Sequence, residues 1–161
     1  MKWQFYYKAY GDPKLLGEVL FLAFKRINNY SDQYPIDVAG HGPHWGIRKI
    51  LVQPLEKRKQ FELVDEIFPS NAIEEYNVYD IKIQYSYPRK RKKGYATQDY
   101  YRVSIHYNPE EQILLFDFVR RRGLGRTSPM FILSLLEEKI TEIAYEREEY
   151  RDVAIARLTV C

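Results

Sequence analysis

The sequence predicts a single α+β domain, residues 1–161, in which a mainly antiparallel sheet carries three helices. Three observations predict it. Residues 79–87, 101–107 and 112–119 alternate apolar and polar side chains with the period of half-buried strands, and so form a three-strand meander. Asp12-Pro13 and Ser128-Pro129 each stand before an apolar run with helical spacing, as an N-cap followed by a proline in the first turn. The chain has 161 residues, 45% hydrophobic and 29% charged, which suits one globular unit with a real core.

Taken in order, Lys2 to Tyr10 alternates Trp3, Phe5, Tyr7 and Ala9 with polar neighbours and reads as a strand. A helix follows from Pro13 to about Asn28. Phe21 and Leu22 make its middle apolar nearly all round, so it should be largely buried. Asn29 to Gly46 is rich in Pro and Gly and reads as an ordered loop. Ile47 to Val52 is a strand. Pro54 to Phe68 reads as a helix opened by its proline, with Phe61, Val64 and Phe68 on one stripe. After the meander, the helix from Pro129 buries Ile132, Leu133, Leu136, Ile140, Ile143 and Ala144. Its outer face carries Glu137, Glu138, Glu142, Glu146, Glu148 and Glu149. Val153 to Val160 is the last expected strand. The helices are expected on one or both faces of the sheet.

The hydrophobic pattern suggests a register. If Asn108 to Glu111 forms the turn, Tyr107 faces Gln112, Ile105 faces Leu114, Val103 faces Phe116 and Tyr101 faces Phe118. Arg102 then meets Asp117 on the opposite face. A slip by one residue would put Asp117 among apolar side chains. Matching faces also pairs Tyr85 with Val103 and Ile83 with Ile105, which leaves Pro88 to Tyr100 as an unusually long loop.

The lone Cys161 excludes an intramolecular disulfide and a cysteine-rich zinc site. The longest apolar run, Val19 to Phe24, is too short to span a membrane. A cytoplasmic protein is expected, with no membrane partner and no cofactor.

Charge is distributed unevenly. From Pro88 to Arg126 there are ten Lys or Arg against four Asp or Glu, and the rest of the chain holds fifteen against eighteen. The overall charge of +3 hides this contrast. Arg89, Lys90, Arg91, Lys92 and Lys93 lie in the long loop, and Arg120, Arg121 and Arg122 end the third meander strand. An up-down-up meander puts both clusters at one sheet end. Clustered cations neutralise phosphates and release condensed counterions. Tyr85, Tyr87, Tyr95, Tyr100 and Tyr101 flank the loop, where unpaired bases stack on any exposed ring. Lys90 to Lys93 also fits a nuclear-localisation pattern.

Gly123, Gly125 and Arg126 lie just before the last helix, so Arg122 to Ser128 suits a single phosphate or carboxylate as well as it suits a tight connector. It is not a phosphate-binding Walker loop, because Arg126 stands where the lysine would be. Two of the three histidines, His41 and His44, share a Gly/Pro loop, and His106 falls on the polar face of the meander, opposite Lys82. They are the candidate catalytic acids and bases. Without nearby cysteines the ligand count argues against a metal. The leading expectation is a small nucleic-acid-binding protein, for RNA or single strands. The second is an interaction or inhibitor module docking on an acidic protein surface, and the third a phosphoester-cleaving enzyme using the histidines.

Overall fold

The computed structural model describes residues 1–31, 46–55, 77–85 and 98–158. In chain order these form β1 (Lys2–Tyr10), α1 (Pro13–Ile27), β2 (Ile47–Pro54), β3 (Val78–Tyr85), β4 (Gln98–Asn108), β5 (Ile113–Arg122), α2 (Pro129–Glu146), a 3-10 turn (Glu148–Tyr150) and β6 (Ala154–Arg157). The six strands make one curled antiparallel sheet in the order β2-β3-β4-β5-β1-β6. The α+β class therefore holds, with two α-helices among the described residues rather than three. Pro54 does not open a helix but closes the edge strand β2, a place where a missing N–H costs no ladder bond. The remainder of the expected helix lies outside the described residues, as do His41, His44 and Arg89 to Lys93.

Both helices lie on one face of the sheet. Phe24 of α1 stacks on Tyr79 of β3 with ring centroids 4.0 Å apart. From α2, Glu137 accepts a hydrogen bond from the Tyr7 hydroxyl of β1 at 2.6 Å. Tyr7, Ile81, Tyr101, Val103, Ile105, Leu114, Phe116 and Phe118 form the sheet's share of the core. Asp12 caps α1 as expected, accepting from Lys14 N at 2.8 Å and Leu15 N at 3.4 Å. Ser128 occupies the N-cap position of α2, but its side chain caps nothing. Glu137 is not on an outer acidic face either. It sits half-buried between the Tyr7 hydroxyl and the Arg157 guanidinium, which fastens β6 and α2 to β1. Glu146 and Glu142 do face outward, and both reach Arg26 of α1, at 2.6 and 3.5 Å. No helix among the described residues is long and apolar enough to cross a membrane.

The registers differ from expectation, but the faces do not. Across β4 and β5, Tyr107 faces Leu114, Ile105 faces Phe116 and Val103 faces Phe118. The turn is the cause. Asn108 still belongs to β4, its side chain accepts from Glu110 N at 3.0 Å and Glu111 N at 3.3 Å, and Gln112 takes a left-handed φ of 59°. The four-residue loop thus starts one residue later, and the pairing moves by two. Asp117 now faces Ser104, and Arg102 faces Val119. Between β3 and β4 the pairing moves by six, so Tyr79 faces Val103 and Ile81 faces Tyr101. A polar cluster accompanies it. Arg102 donates to Asp80 from Nε at 2.8 Å and Nη2 at 3.2 Å, and the Tyr100 hydroxyl donates to the same carboxylate at 2.8 Å.

Candidate functional site

The arginine triplet is part of β5 rather than a tail beyond it. A bulge at its end decides where each side chain goes. Tyr101 faces Arg120 and Tyr100 faces Arg122, so Arg121 is the extra residue. Tyr101 belongs to the helix-covered face, and Arg120 follows it there: its guanidinium packs so closely on Gly125 that an added Cβ would fall 2.3 Å from Nη1. Tyr100 belongs to the opposite face, and Arg122 emerges beside it. Arg121 and Arg122 are exposed, and neither forms an ion pair among the described residues.

The connector from Gly123 to Thr127 is organised by Asp99. This carboxylate, at the start of β4, is 1% exposed. Its Oδ1 accepts from Gly125 N at 2.8 Å and its Oδ2 from Thr127 N at 3.3 Å. The Tyr85 hydroxyl donates to Oδ2 and shares a 2.8 Å hydrogen bond with Thr127 Oγ1. Tyr101 donates to the Thr127 carbonyl at 2.5 Å. Burial, and then the neighbouring Asp99, raise the phenols of Tyr85 and Tyr101, the latter to about 12. Gly123 has φ +99°, and a Cβ there would fall 2.1 Å from Asp99 Oδ1 and 2.6 Å from the Gln98 carbonyl. Glycine is required at that point by conformation and by space together. Two of the backbone donors that the sequence offers to an outside anion are therefore turned onto the chain's own carboxylate.

Beside this connector lies a cleft of about 440 Å³ lined by Gly46, Ile47, Tyr85, Arg126, Thr127, Ser128 and Phe131. Arg126 is exposed at it. The segment carrying Arg89, Lys90, Arg91, Lys92 and Lys93 leaves the sheet at Tyr85 and rejoins it at Gln98. Tyr85 bonds to Thr127, and Gln98 abuts Gly123, so both attachment points of that segment adjoin the arginine-bearing end of β5.

No family model, curated protein or solved structure matches this chain.

Among the flanking tyrosines, Tyr85 is 6% and Tyr101 0% exposed, so neither ring is open to a base. Tyr100 is half-buried, and the Lys82 ammonium lies 5.3 Å from its ring centroid. Tyr87 and Tyr95 lie outside the described residues. His106 does not face Lys82, which lies opposite Tyr100; it faces Leu115. Burial lowers the His106 pKa and keeps the imidazole neutral. Among the described residues no cluster of three His, Cys, Asp or Glu could hold a metal. Sequence reasoning missed Asp99 and Asp80. The available signal was that aspartate is disfavoured in strands, so an Asp inside one calls for a specific partner.

Proposed function

We propose that the protein binds nucleic acid, with preference for RNA or another single strand, through the basic end of its sheet. The observation that carries this reading is the exposure of Arg121 and Arg122 without carboxylate partners among the described residues, next to both attachment points of a segment with five more cations. Cations held by salt bridges lose much of their pull on a phosphate; these two keep it. Arg122 is exposed on the sheet face away from the two described helices, and its planar fork can take two oxygens of one phosphate. The acidic remainder of the chain steers a polyanion towards this end.

Fluorescence anisotropy with labelled single-stranded RNA, single-stranded DNA and duplex tests the proposal. Binding at roughly 50 mM salt that weakens steeply as salt rises is expected. Serine at both Arg121 and Arg122 should weaken it for every sequence. Absence of binding to all three probes would refute it and leave an acidic protein surface as the partner to pursue.

A further inference from the structure

An antiparallel sheet that does not close leaves two edges, and the N–H and C=O groups along them are a template for a further strand. The two edges of this sheet, β2 and β6, are treated differently. On β2 the outward groups are occupied. Ile50 N donates to the Tyr30 carbonyl at 2.9 Å, and the Ile50 carbonyl accepts from Asn29 N at 2.7 Å. Val52 N donates to the Asn28 side chain at 2.9 Å, and Pro54 has no N–H to offer. A register shift between Ile47 and Lys49 makes the strand irregular as well. β6 has no such protection. Ala154, Ala156 and Leu158 turn their backbones to β1, as the 2.8 Å bond from Leu158 N to the Tyr6 carbonyl shows. Ile155 and Arg157 therefore turn theirs outward, where no group among the described residues bonds to them. Two cations stand near this edge, and both are drawn away from it: Arg157 to Glu137, and Lys8 to the Glu111 carbonyl at 2.9 Å. On the face away from the helices the edge is apolar and exposed. Tyr10 is 45%, Leu158 38% and Tyr6 37% exposed, and Ala154 and Ala156 are exposed beside them.

We infer that β6 pairs antiparallel with β6 of a second copy of this chain, joining two sheets edge to edge across a two-fold axis at Ala156. The inference is independent of the nucleic-acid reading. The register follows from the outward groups. Within β6 only Ile155 and Arg157 can supply the new ladder, and a two-fold axis sets each Ile155 opposite the partner's Arg157, so that both residues of the pair exchange N–H and C=O bonds. Such a contact closes at two copies. Ala156 then meets the partner's Ala156 in the close position between bonded pairs, with Cα atoms about 4.5 Å apart, where a methyl group fits. Beside it Ala154 meets the partner's Leu158. This lines up Tyr10, Ala154, the partner's Leu158 and the partner's Tyr6 in one row across the seam, with the symmetric row on the other side of the axis. Side chains exposed in one copy are covered in the pair. No like charges meet. Arg157 lies opposite an isoleucine and is neutralised by Glu137. The two copies of Lys8 stand three strand spacings apart, roughly 14 Å, which exceeds the screening length of about 8 Å. This self-match favours a second copy over an unrelated strand: one register satisfies the backbone, joins the apolar rows and opposes no charges.

The test uses the full chain. Sedimentation velocity over a concentration series should show the monomer giving way to a species of twice the chain mass. Hydrogen exchange reads the same contact without a variant: the amides of Ile155 and Arg157 should slow as concentration rises. Ala156 is exposed, so a longer side chain there leaves the core untouched. Ala156→Lys and Ala156→Glu each set two like charges face to face at the axis, and each alone should self-associate at least about tenfold more weakly than the parent. Mixed one to one, they put opposite charges there and should restore a dimer containing one of each. That rescue separates a broken interface from a misfolded variant. A parent that stays monomeric up to about 100 µM, roughly a hundredfold above the micromolar end of specific interfaces, would overturn the inference. So would a dimer that both variants form as readily as the parent, or a mixture that associates no better than either variant alone. None of these results bears on oligonucleotide binding at the basic end, which is measured separately.

Discussion

Replacing Asp99 by Asn tests how the connector before α2 is held. The carboxylate is buried and accepts from Gly125 N, Thr127 N and the Tyr85 hydroxyl. The amide is the same size, so no cavity forms and the change is one of hydrogen bonding alone. However the amide settles, its NH2 must face at least one backbone N–H, at Gly125 or at Thr127. One charge-assisted acceptor becomes a donor against a donor, and the other bonds fall back to neutral strength. A hydrogen bond to a charged group contributes about 1.5–3 kcal/mol, and an unsatisfied buried donor costs about 1–3 kcal/mol. The expected destabilisation of Asp99→Asn is therefore about 2–4 kcal/mol, a large share of a typical domain stability of about 5–15 kcal/mol. Urea unfolding followed by circular dichroism measures it, with the slope required to stay constant so that the midpoint reports stability. Amide exchange at Gly125 and Thr127 should accelerate more than in β4 and β5. A variant within about 0.5 kcal/mol of the parent, the usual range of a surface substitution, would refute the claim that Asp99 organises this loop.

Gly123→Ala should cost at least about 2–3 kcal/mol, because it combines a left-handed φ with a Cβ driven into Asp99 and the Gln98 carbonyl; an unchanged urea midpoint would mean that the connector is not fixed as described. His106 gives a pH test. Burial holds its folded pKa below the unfolded value of about 6.5, so below that pH the unfolded chain binds more protons and stability falls as pH drops. His106→Gln removes this component, and its urea midpoint should decline less than the parent's between about pH 7.5 and 5.5; identical declines would show that the imidazole is not held neutral.

Much of the fold was legible because the signals were local. Asp12-Pro13 and Ser128-Pro129 mark both helix starts, and strict alternation assigns the described meander residues to their proper faces except Gln112, which falls in the turn. Alternation cannot fix a register beyond that, since slips of two or six residues leave the faces unchanged. The pairs that do discriminate are polar and distant in sequence. Arg102 finds Asp80, not Asp117, and only the Asn108 turn shows why. Pro54 was ambiguous because proline suits both a helix start and the end of an edge strand. At the candidate site the charges were legible and their geometry was not. The bulge that sends Arg120 to one face and Arg122 to the other leaves no mark on a run of three identical residues. Nor does the glycine motif reveal that Asp99, 24 positions before Gly123, fills the space an outside anion was expected to take.

The slope of log affinity against log salt for a single-stranded oligonucleotide tests the central claim most directly. Each phosphate neutralised on a single strand contributes about −0.7 to that slope. If Arg121 and Arg122 each meet one phosphate, serine at both should make the slope shallower by about 1.4, and equally so for unrelated sequences. An unchanged slope in that variant, or a parent protein whose binding does not respond to salt, would contradict the assignment of the basic sheet end to nucleic acid.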